Sequence, residues 1–379
     1  IVAGNERVVR ARLDDAAFFV VEDRRKPLEG YVEGLKRVVF QERLGSVYDK
    51  TMRIVKCAEA VCDAAGITGT QRDDILRTAL LCKADLITSA VVEFTSLQGI
   101  MGGHYARFSG ETPEVALGIT DHYRPRFADD DLPRNLAGTV TAFSDKLDTI
   151  CGIFAIGAGP TGSSDPFALR RAAIGIVNIL LSGLDVSLSE LIDVALGNYR
   201  DVVDFDFDAV RDQVRAFFAT RLEVIARDRG YAPDCIAAVM ATGMFEPAET
   251  IARIDALQTA RDEQPDTFEN LATAYTRAAN LADVALGCEA DEALMGTQER
   301  ALADAIAVAQ ESVGQALAAG AHADAIEALA GLRAPIDSFF DGVLIMDDDL
   351  ALREMRLRLL NSFVDVFANV ADIGKMAKK

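Results

Sequence analysis

Apolar residues recur at helical spacing along almost the whole chain from about Pro27 onward, whereas strand-like alternation of apolar and polar residues is rare. This pattern predicts an all-α protein, with any β-sheet confined to the segment before Pro27. No repeat of fixed period is present, which argues against a helical solenoid. The helices predicted from residue 166 onward span 166–181, 187–197, 208–228, 234–242, 247–262, 266–286, 297–318, 321–333, 335–343 and 349–371.

Capping residues mark where two of these helices begin. Asp165 precedes Pro166, which places an N-cap acceptor before a proline at the first helical position, where a missing N–H costs nothing. Ser187 and Glu190 have the spacing of a capping box. We therefore expect one helix to begin at Pro166 and the next to follow Ser187.

A change in composition divides the chain. Residues 247–319 are rich in alanine with interleaved acidic and basic residues, whereas residues 1–190 contain more glycine and more bulky apolar residues. The main boundary is expected between these regions, with a break at Gly243 to Pro247 because glycine and proline punctuate helices. The chain begins at Ile1 in a run that reads as the middle of a longer protein, so we expect it to be part of one.

A net charge of −20 over 379 residues argues against indiscriminate binding to nucleic acid, which normally uses a broadly basic face. Local basic clusters could still contact a polyanion, although such clusters are more often solvated surface charge. The clusters are Arg7, Arg10 and Arg12; Arg24, Arg25 and Lys26; Arg124 and Arg126; Arg170 and Arg171; and Lys375, Lys378 and Lys379.

Cysteine spacing and the length of the apolar runs predict a cytosolic protein. None of the six cysteines has C-x-x-C spacing with another, so reduced, buried thiols are expected. The longest apolar stretches, 149–160 and 172–184, are too short to cross a bilayer, and the first residues do not form a signal peptide. The sequence therefore predicts a cytoplasmic location and no membrane partner.

A glycine-rich stretch, Gly157 to Arg171, could in principle bind phosphate at the start of a helix. The Gly-Lys-Ser/Thr ending of a Walker loop is missing, and Asp165 would repel an anion. A structural turn is therefore favoured over a nucleotide cradle. Contact with an RNA backbone through Arg170 or Arg171 stays open.

Two histidines and four aspartates could be drawn into a metal site, because these side chains are common ligands. They are His104, His122, Asp85, Asp121, Asp145 and Asp148. Their spacing matches no recognised motif, and G-G-H-Y-A predicts a turn at His104. Asp145 and Asp148 share a helix face and are expected to pair with Lys83, Lys146 or an arginine. No metal ligands are predicted. No catalytic residues are predicted either, because no G-x-S-x-G elbow or Cys-His context is present.

Several strings in the chain follow one family pattern in the same order. They are G-N-E-R-V-V-R-A-R-L-D-D-A-A-F-F (Gly4 to Phe19), V-F-Q-E-R-L-G-S-V-Y-D-K (Val39 to Lys50), L-Q-G-I-M-G-G-H-Y-A (Leu97 to Ala106), H-Y-R-P-R-F-A-D-D-D-L-P (His122 to Pro133), S-D-K-L-D-T (Ser144 to Thr149) and G-P-T-G-S-S-D-P-F-A-L-R-R-A-A (Gly159 to Ala173). Together they resemble the β subunit of bacterial two-subunit glycyl-tRNA synthetases. The resemblance covers nearly the whole chain and is weakest from about 200 to 265.

The resemblance implies a division into parts: the end of a preceding domain (1–27), a degenerate HD-type helical domain (28–184), a helical connector (185–262) and a C-terminal helical bundle (263–379). The last part resembles the anticodon-binding domain of arginyl-tRNA synthetase over Ala334 to Leu360, with Met355 where the family usually has Asn. Enzymes of the HD superfamily bind metal through a histidine, a His-Asp pair and a distant aspartate. The corresponding positions here carry Gln41 and Lys83-Ala84-Asp85, so the resemblance implies a scaffold or RNA-contacting surface without phosphohydrolase activity.

The resemblance also implies a function. In this family the α subunit activates glycine with ATP and the β subunit supplies tRNA binding, so this chain is expected to be the C-terminal, tRNA-binding part of a glycine–tRNA ligase β subunit. Alone it should be non-catalytic and hold no cofactor. Its expected partners are the α subunit and the tRNA for glycine, with no DNA. The alternatives are a metal-dependent phosphohydrolase of the HD type and a non-catalytic helical scaffold.

The residues predicted to bind tRNA are Arg277, Asn280, Arg170, Arg171, Arg124 and Arg126. Arg277 and Asn280, in T-R-A-A-N-L, lie three apart on one helix face, where the family pattern also has a basic residue followed by Asn. Unpaired bases are read by stacking on side chains, including arginine planes, and by hydrogen bonds to their edges. The alternative is that Asn280 caps a helix or packs within the bundle.

Arg356 falls within an apolar stripe on the last predicted helix, formed by Leu352, Met355, Leu359, Phe363, Val366 and Val370. An unpaired buried charge is costly. We therefore predict a salt bridge from Arg356 to Asp337, Asp341 or Asp348.

Overall fold

The structure is a computed structural model that describes residues 2–376; at the start of the first helix, the side chains of residues 2–5, 7, 8 and 11 are outside the described part. The side chain of Arg7, together with Lys378 and Lys379, therefore lies outside it. The described residues are predominantly helical, which confirms the all-α prediction.

The predicted position of the sheet was wrong. The segment before Pro27 forms a helix, and the two strands found among residues 2–376 are β1 (Val39–Gln41) and β2 (Gly45–Ser46). They pair antiparallel around a tight turn in which Gly45 has a φ of 89°, a conformation that favours glycine. So short a hairpin contains too few residues for alternation to be visible in the sequence.

The chain forms two compact units, one ending at Arg221 and the other beginning at Leu222. This division falls inside the predicted connector. The predicted domain boundaries themselves stay predictions.

Helices of the first unit pack around α7. The helices are α1 (Val2–Asp23), α2 (Val47–Ala64), α3 (Gly69–Leu81), α4 (Ser89–Glu93), α5 (Ile100–Phe108), α6 (Pro113–Asp121), α7 (Leu136–Ala155), α8 (Leu169–Leu181), α9 (Leu188–Gly197) and the start of α10 (Phe207–Asp228). α7 contacts α2, α3, α6, α8 and α9, and it is buried along almost its whole length. Charged residues on α7 therefore lie inside the unit.

The second unit is a helical bundle in which α13 and α14 make the most extensive contacts with their neighbours. After α10 its helices are α11 (Pro233–Met240), α12 (Pro247–Glu263), α13 (Pro265–Leu281), α14 (Thr297–Ala318), α15 (His322–Ala330), α16 (Arg333–Gly342) and α17 (Leu350–Phe367). Short 3₁₀ turns in the two units cover Leu28–Arg37, Ala84–Ile87, Thr95–Leu97, Val284–Leu286, Glu292–Leu294 and Ile373–Met376.

The helices predicted from residue 166 onward are confirmed to within a few residues, with one informative exception at the start of α8. α8 begins at Leu169 and not at Pro166. Asp165 still caps it, because its carboxylate accepts the N–H groups of Leu169 and Arg170 at 2.8 and 3.0 Å. The intervening residues form a turn that ends at Ala168, whose φ is 55°. The Ser187 cap is confirmed, since its hydroxyl accepts the Glu190 N–H at 3.2 Å.

Arg356 on α17 is paired as predicted, but its partners were predicted wrongly. Its guanidinium lies 3.0 Å from Glu299 and 2.8 Å from Asp347. Glu299 belongs to α14 and is 57 residues from Arg356 in the sequence, so proximity in the sequence does not indicate this pair. Of the acids predicted, Asp337 faces Arg333 on its own helix.

Five of the six cysteines are buried, as predicted, and Cys288 is exposed. All six are free thiols. Within residues 2–376, no helix combines the length and the apolar composition needed to cross a bilayer.

Candidate functional site

A layer of buried charged side chains surrounds α7 in the first unit. α7 begins after Asn135, whose side-chain oxygen accepts the Gly138 N–H at 2.9 Å. Its inner turns carry Asp145, Lys146 and Asp148, all of them buried. Since α7 is the central helix, these three groups must find partners inside the protein.

Asp148 joins α7 to α2 and to the turn after α9. Its carboxylate is fully buried and accepts hydrogen bonds from Arg53 at 2.9 Å, Lys50 at 3.1 Å and the Tyr199 hydroxyl at 2.8 Å. Lys50 and Arg53 are themselves only 5% exposed. Each of these charges therefore depends on a partner of opposite sign.

Asp145 lies between two lysines. Its two oxygens are 2.8 Å from Lys50 Nζ and 2.7 Å from Lys83 Nζ. Burial alone would raise the pKa of Asp145, but these ammonium groups outweigh burial and hold it well below its usual range. The predicted pairing of Asp145 with Lys83, and of Asp148 with an arginine, is confirmed.

Lys146 is not a partner of these acids. Its ammonium points away from them and donates to the carbonyls of Tyr123 and Arg124 at 3.3 and 2.8 Å. Burial lowers the pKa of Lys146 to about 8.

His122 is held in a single neutral tautomer. Lys83 Nζ lies 2.9 Å from its Nε2, and because an ammonium has no lone pair, Nε2 must accept. The proton therefore sits on Nδ1 and is donated to the Ile119 carbonyl at 2.6 Å. Burial, reinforced by the charge of Lys83, holds the pKa of His122 well below its usual value.

Asp85 is turned toward backbone N–H groups. Its carboxylate accepts from Gly99 and Gly102 at 2.6 and 3.0 Å, and a Cβ at Gly102 would lie 2.9 Å from the same oxygen. Glycine at this position therefore lets the carboxylate approach the helix. Burial raises the pKa of Asp85 to about 6, although these N–H groups oppose the shift.

Apart from His104, the residues considered for a metal site are engaged elsewhere. Asp121 accepts two guanidinium bonds from Arg134, at 2.7 and 2.9 Å. His104 is exposed on α5, so the predicted turn at this residue was wrong. Gly102 and Gly103 permit α5 to pack tightly and do not break it, because a Cβ on Gly103 would overlap Thr120 of α6. That the chain binds no metal stays a prediction.

The buried imidazole predicts a pH dependence of stability. The pKa of His122 is depressed in the folded state, so the unfolded chain takes up a proton first as the pH falls below about 6.5. Stability that is fully present above that pH should then be lost, by up to roughly 1 kcal/mol between pH 7 and 6. The effect of Asp85 on stability has the opposite sign. Because its pKa is raised in the folded state, it adds stability only as the pH falls below about 6.

Hydrogen exchange of the α7 amides, measured at pH 7 and pH 6 with correction for the intrinsic rate, would report this loss. The His122→Gln variant should lack most of it, whereas exposed His104→Gln should behave like the wild-type chain. An equal loss in all three proteins would contradict the assignment to His122.

A cleft of about 490 Å³ borders this buried layer, since Asp145 and Lys146 are among the residues that line it. We call it the α7 cleft. It is lined among others by Arg124, Arg126, Lys146, Phe167 and Arg171. Three of the arginines predicted to bind tRNA are therefore brought together, although they come from two distant stretches of sequence.

These arginines differ in how firmly they are held. Arg124 lies 3.1 Å from Asp131, and Arg126 lies 2.9 Å from Asp130. Arg171 is exposed and makes no ion pair within the described part of the chain. Arg170, the fourth predicted residue in this unit, is not among the residues that line the cleft and donates to the Gly162 carbonyl at 2.6 Å.

A second cleft, of about 660 Å³, lies in the second unit. We call it the α13 cleft. Five residues on one face of α13 line it, including Arg277 and Asn280, and Val343 to Met346 form the opposite wall. Both predicted residues are exposed, so Asn280 does not pack in the core of the bundle.

Arg277 is held over an aromatic ring. Its guanidinium carbon lies 4.1 Å from the centre of the Phe340 ring. Across the cleft Leu344 and Met346 are 72% and 57% exposed, whereas Ile345 between them is buried. The segment therefore presents two large apolar side chains across the cleft from the Arg277 guanidinium and the exposed Asn280 amide.

Sequence reasoning missed these apolar residues and Phe167. Exposed apolar side chains look like core residues in a sequence, and only their position beside arginines distinguishes them. The string V-L-I-M before three aspartates carried a weak signal, because four apolar residues adjoin a polar loop there.

The amino-acid sequence was compared with those of known protein families. Residues 1–241 match the family model described as the glycyl-tRNA synthetase beta subunit. The chain belongs to this family. The resemblance drawn from the sequence strings is thereby confirmed. Residues 271–374 match the DALR anticodon binding domain, which covers α13 from residue 271 onward and both walls of the α13 cleft.

Individual relatives agree with this assignment. The glycine–tRNA ligase beta subunit of Desulforamulus reducens is 44% identical over 99% of this chain, and that of Acinetobacter baumannii (strain AYE) is 43% identical over 99%. The Vibrio parahaemolyticus protein of the same name is 41% identical over the full chain. The chain spans 54% of the length of each of these relatives.

Proposed function

We propose that this chain is a tRNA-binding part of the β subunit of a heteromeric glycine–tRNA ligase. The observation that carries the proposal is the placement of Arg277 and Asn280 together in the α13 cleft, inside the region that matches an anticodon-binding domain. The α subunit is then the partner that uses ATP to activate glycine. This chain alone does not charge tRNA, holds no cofactor, and acts in the cytoplasm on the tRNA for glycine without contacting DNA.

The α13 cleft is suited to an unpaired base. The guanidinium of Arg277 packs on the Phe340 ring, which favours one orientation of its plane and reduces the side-chain entropy lost when a base stacks nearby. The Asn280 amide offers both a donor and an acceptor to a base edge. Leu344 and Met346 supply apolar surface for the base faces.

The net charge of the chain favours RNA binding through a few local groups over binding through a broad basic surface. The chain carries a net charge of −20, so distant phosphates are repelled and binding must come from a few well-placed groups. The α13 cleft contains arginine and no acidic residue among those that line it.

The HD-type resemblance supports a scaffold and not a phosphohydrolase. His122 Nε2 and an Asp145 oxygen, the groups best suited to hold a metal ion, both face the ammonium of Lys83. A divalent ion beside that charge would be repelled, so these residues do not fit a catalytic metal. We therefore propose that the region from 28 to 184 is a degenerate HD-type domain with a structural role.

Replacing Arg277 by alanine should weaken binding of glycine tRNA by about 1–3 kcal/mol at fixed salt. The reason is the loss of a preorganised stacking plane. Arg277→Lys should recover only part of the affinity, because lysine keeps the charge but not the plane. Equilibrium binding of labelled tRNA, with the melting temperature of each variant, measures both effects.

Arg300→Ala serves as the matched control, since Arg300 is exposed in the same unit and does not line the α13 cleft. Its affinity for tRNA should stay near that of the wild-type chain. If Arg277→Ala binds equally well, or loses affinity only in step with its melting temperature, then Arg277 is structural and the proposal loses its main support.

A further inference from the structure

The wall of the α7 cleft includes one buried cation that has no acidic partner. Lys146 is 9% exposed and donates to the carbonyls of Tyr123 and Arg124, and it makes no ion pair within the described residues. A buried charge without a partner of opposite sign is costly. An anion in the cleft would offset this cost.

The residues that line the cleft include more cations than carboxylates. Arg124, Arg126, Lys146 and Arg171 line it, against the carboxylates of Asp121 and Asp145. Both carboxylates already have cationic partners, since Asp121 pairs with Arg134 and with Arg124, and Asp145 pairs with Lys50 and Lys83. In a chain with a net charge of −20, such a cationic concavity contrasts with the rest of the molecule.

One wall of the cleft is aromatic and partly apolar. Phe167 lines it and is 37% exposed, and Ile100 lines it and is 43% exposed. An aromatic ring beside arginines is the combination that proteins use to stack unpaired bases and hold the adjoining phosphates. The bases of a duplex are covered by their neighbours, so only an unpaired nucleotide can use such a wall.

We propose that the α7 cleft binds one unpaired nucleotide of RNA, with its base against Phe167 and its phosphate against Arg171. A volume of about 490 Å³ lies in the range of small-ligand sites. Arg171 is the arginine available for the phosphate, because Arg124 and Arg126 are held by Asp131 and Asp130. The inference rests on the proposed function and adds a second RNA contact, outside the anticodon-binding region.

The full 379-residue chain should be titrated with a 5′-phosphorylated RNA trinucleotide, with inorganic phosphate alone and with a short RNA duplex. The trinucleotide should bind more tightly than either of the other probes. Arg171→Ala should weaken it by about tenfold and reduce the slope of log affinity against log salt by about 1. Phe167→Ala should weaken it by about fivefold or more without changing that slope.

Arg37→Ala is the matched control, because Arg37 is exposed in the same unit and does not line the cleft. It should bind like the wild-type chain, and circular dichroism should show that all variants are folded. Equal binding of the duplex, phosphate bound as tightly as the trinucleotide, or an unchanged affinity in Arg171→Ala would each overturn the inference.

A parallel titration with glycine tRNA separates this inference from the proposed function. If Arg277→Ala weakens tRNA binding while Arg171→Ala changes neither probe, the proposed function stands and the inference fails. If Arg171→Ala weakens the trinucleotide but no tRNA is bound, the nucleotide site stands and the proposed function fails.

Discussion

Replacing Asp148 by asparagine should lower the free energy of unfolding of the first unit by about 3–5 kcal/mol, the range for breaking a buried ion pair. The carboxylate is fully buried and is shared by Lys50, Arg53 and the Tyr199 hydroxyl. Asparagine keeps the shape but not the charge. It therefore leaves two cations buried with too little compensation, which is the costly outcome for a network of this kind.

Hydrogen exchange of the α2 and α7 amides measures this loss within the first unit. Asp129→Asn is the control, because Asp129 is exposed and makes no ion pair within the described residues. Its effect should stay within about 0.5 kcal/mol, as for most surface substitutions. A loss below about 1 kcal/mol in Asp148→Asn would mean that water or relaxation compensates the two cations.

Replacing Arg356 by alanine should destabilise the second unit by about 2–4 kcal/mol. Its side chain is 12% exposed and its partner Glu299 is 5% exposed, so the substitution leaves a buried carboxylate alone. The same guanidinium donates to the Leu344 carbonyl at 2.9 Å. It therefore also fixes the segment that forms one wall of the α13 cleft.

Exchange of the α17 amides reports the stability of this variant, and tRNA binding reports the cleft. Arg353→Ala is the control, since Arg353 lies on the same helix and makes no ion pair among the described residues. Arg356→Ala should lose both stability and affinity, whereas Arg277→Ala should lose affinity alone. Wild-type protection of α17 in Arg356→Ala would show that the pair contributes little.

Local signals account for what the sequence predicted well. Apolar periodicity and caps such as Ser187 act over a few residues, so helices could be placed from the chain alone. The offset at α8 arose because Asp165 caps a helix across a turn that ends in a residue with positive φ. Propensity gives no indication of such a turn at an alanine.

The features that could not be predicted from the sequence are pairs of residues that lie far apart along the chain. Asp148 meets Lys50 across 98 residues, and Arg356 meets Glu299 across 57. Nothing local indicates which cation faces which acid. The tRNA-binding candidates Arg124, Arg126 and Arg171 were named separately, and only the fold shows that they share one cleft while Arg170 does not.

We propose that this chain recognises the tRNA for glycine, and equilibrium binding to that tRNA against a panel of other tRNAs tests this proposal most directly. Each titration should be made at one fixed salt concentration, because salt changes all affinities for RNA. The glycine tRNA should bind about tenfold or more tightly than the others, with or without the α subunit, and Arg277→Ala should reduce that preference. Equal affinity for every tRNA, or no binding to any, would contradict the account.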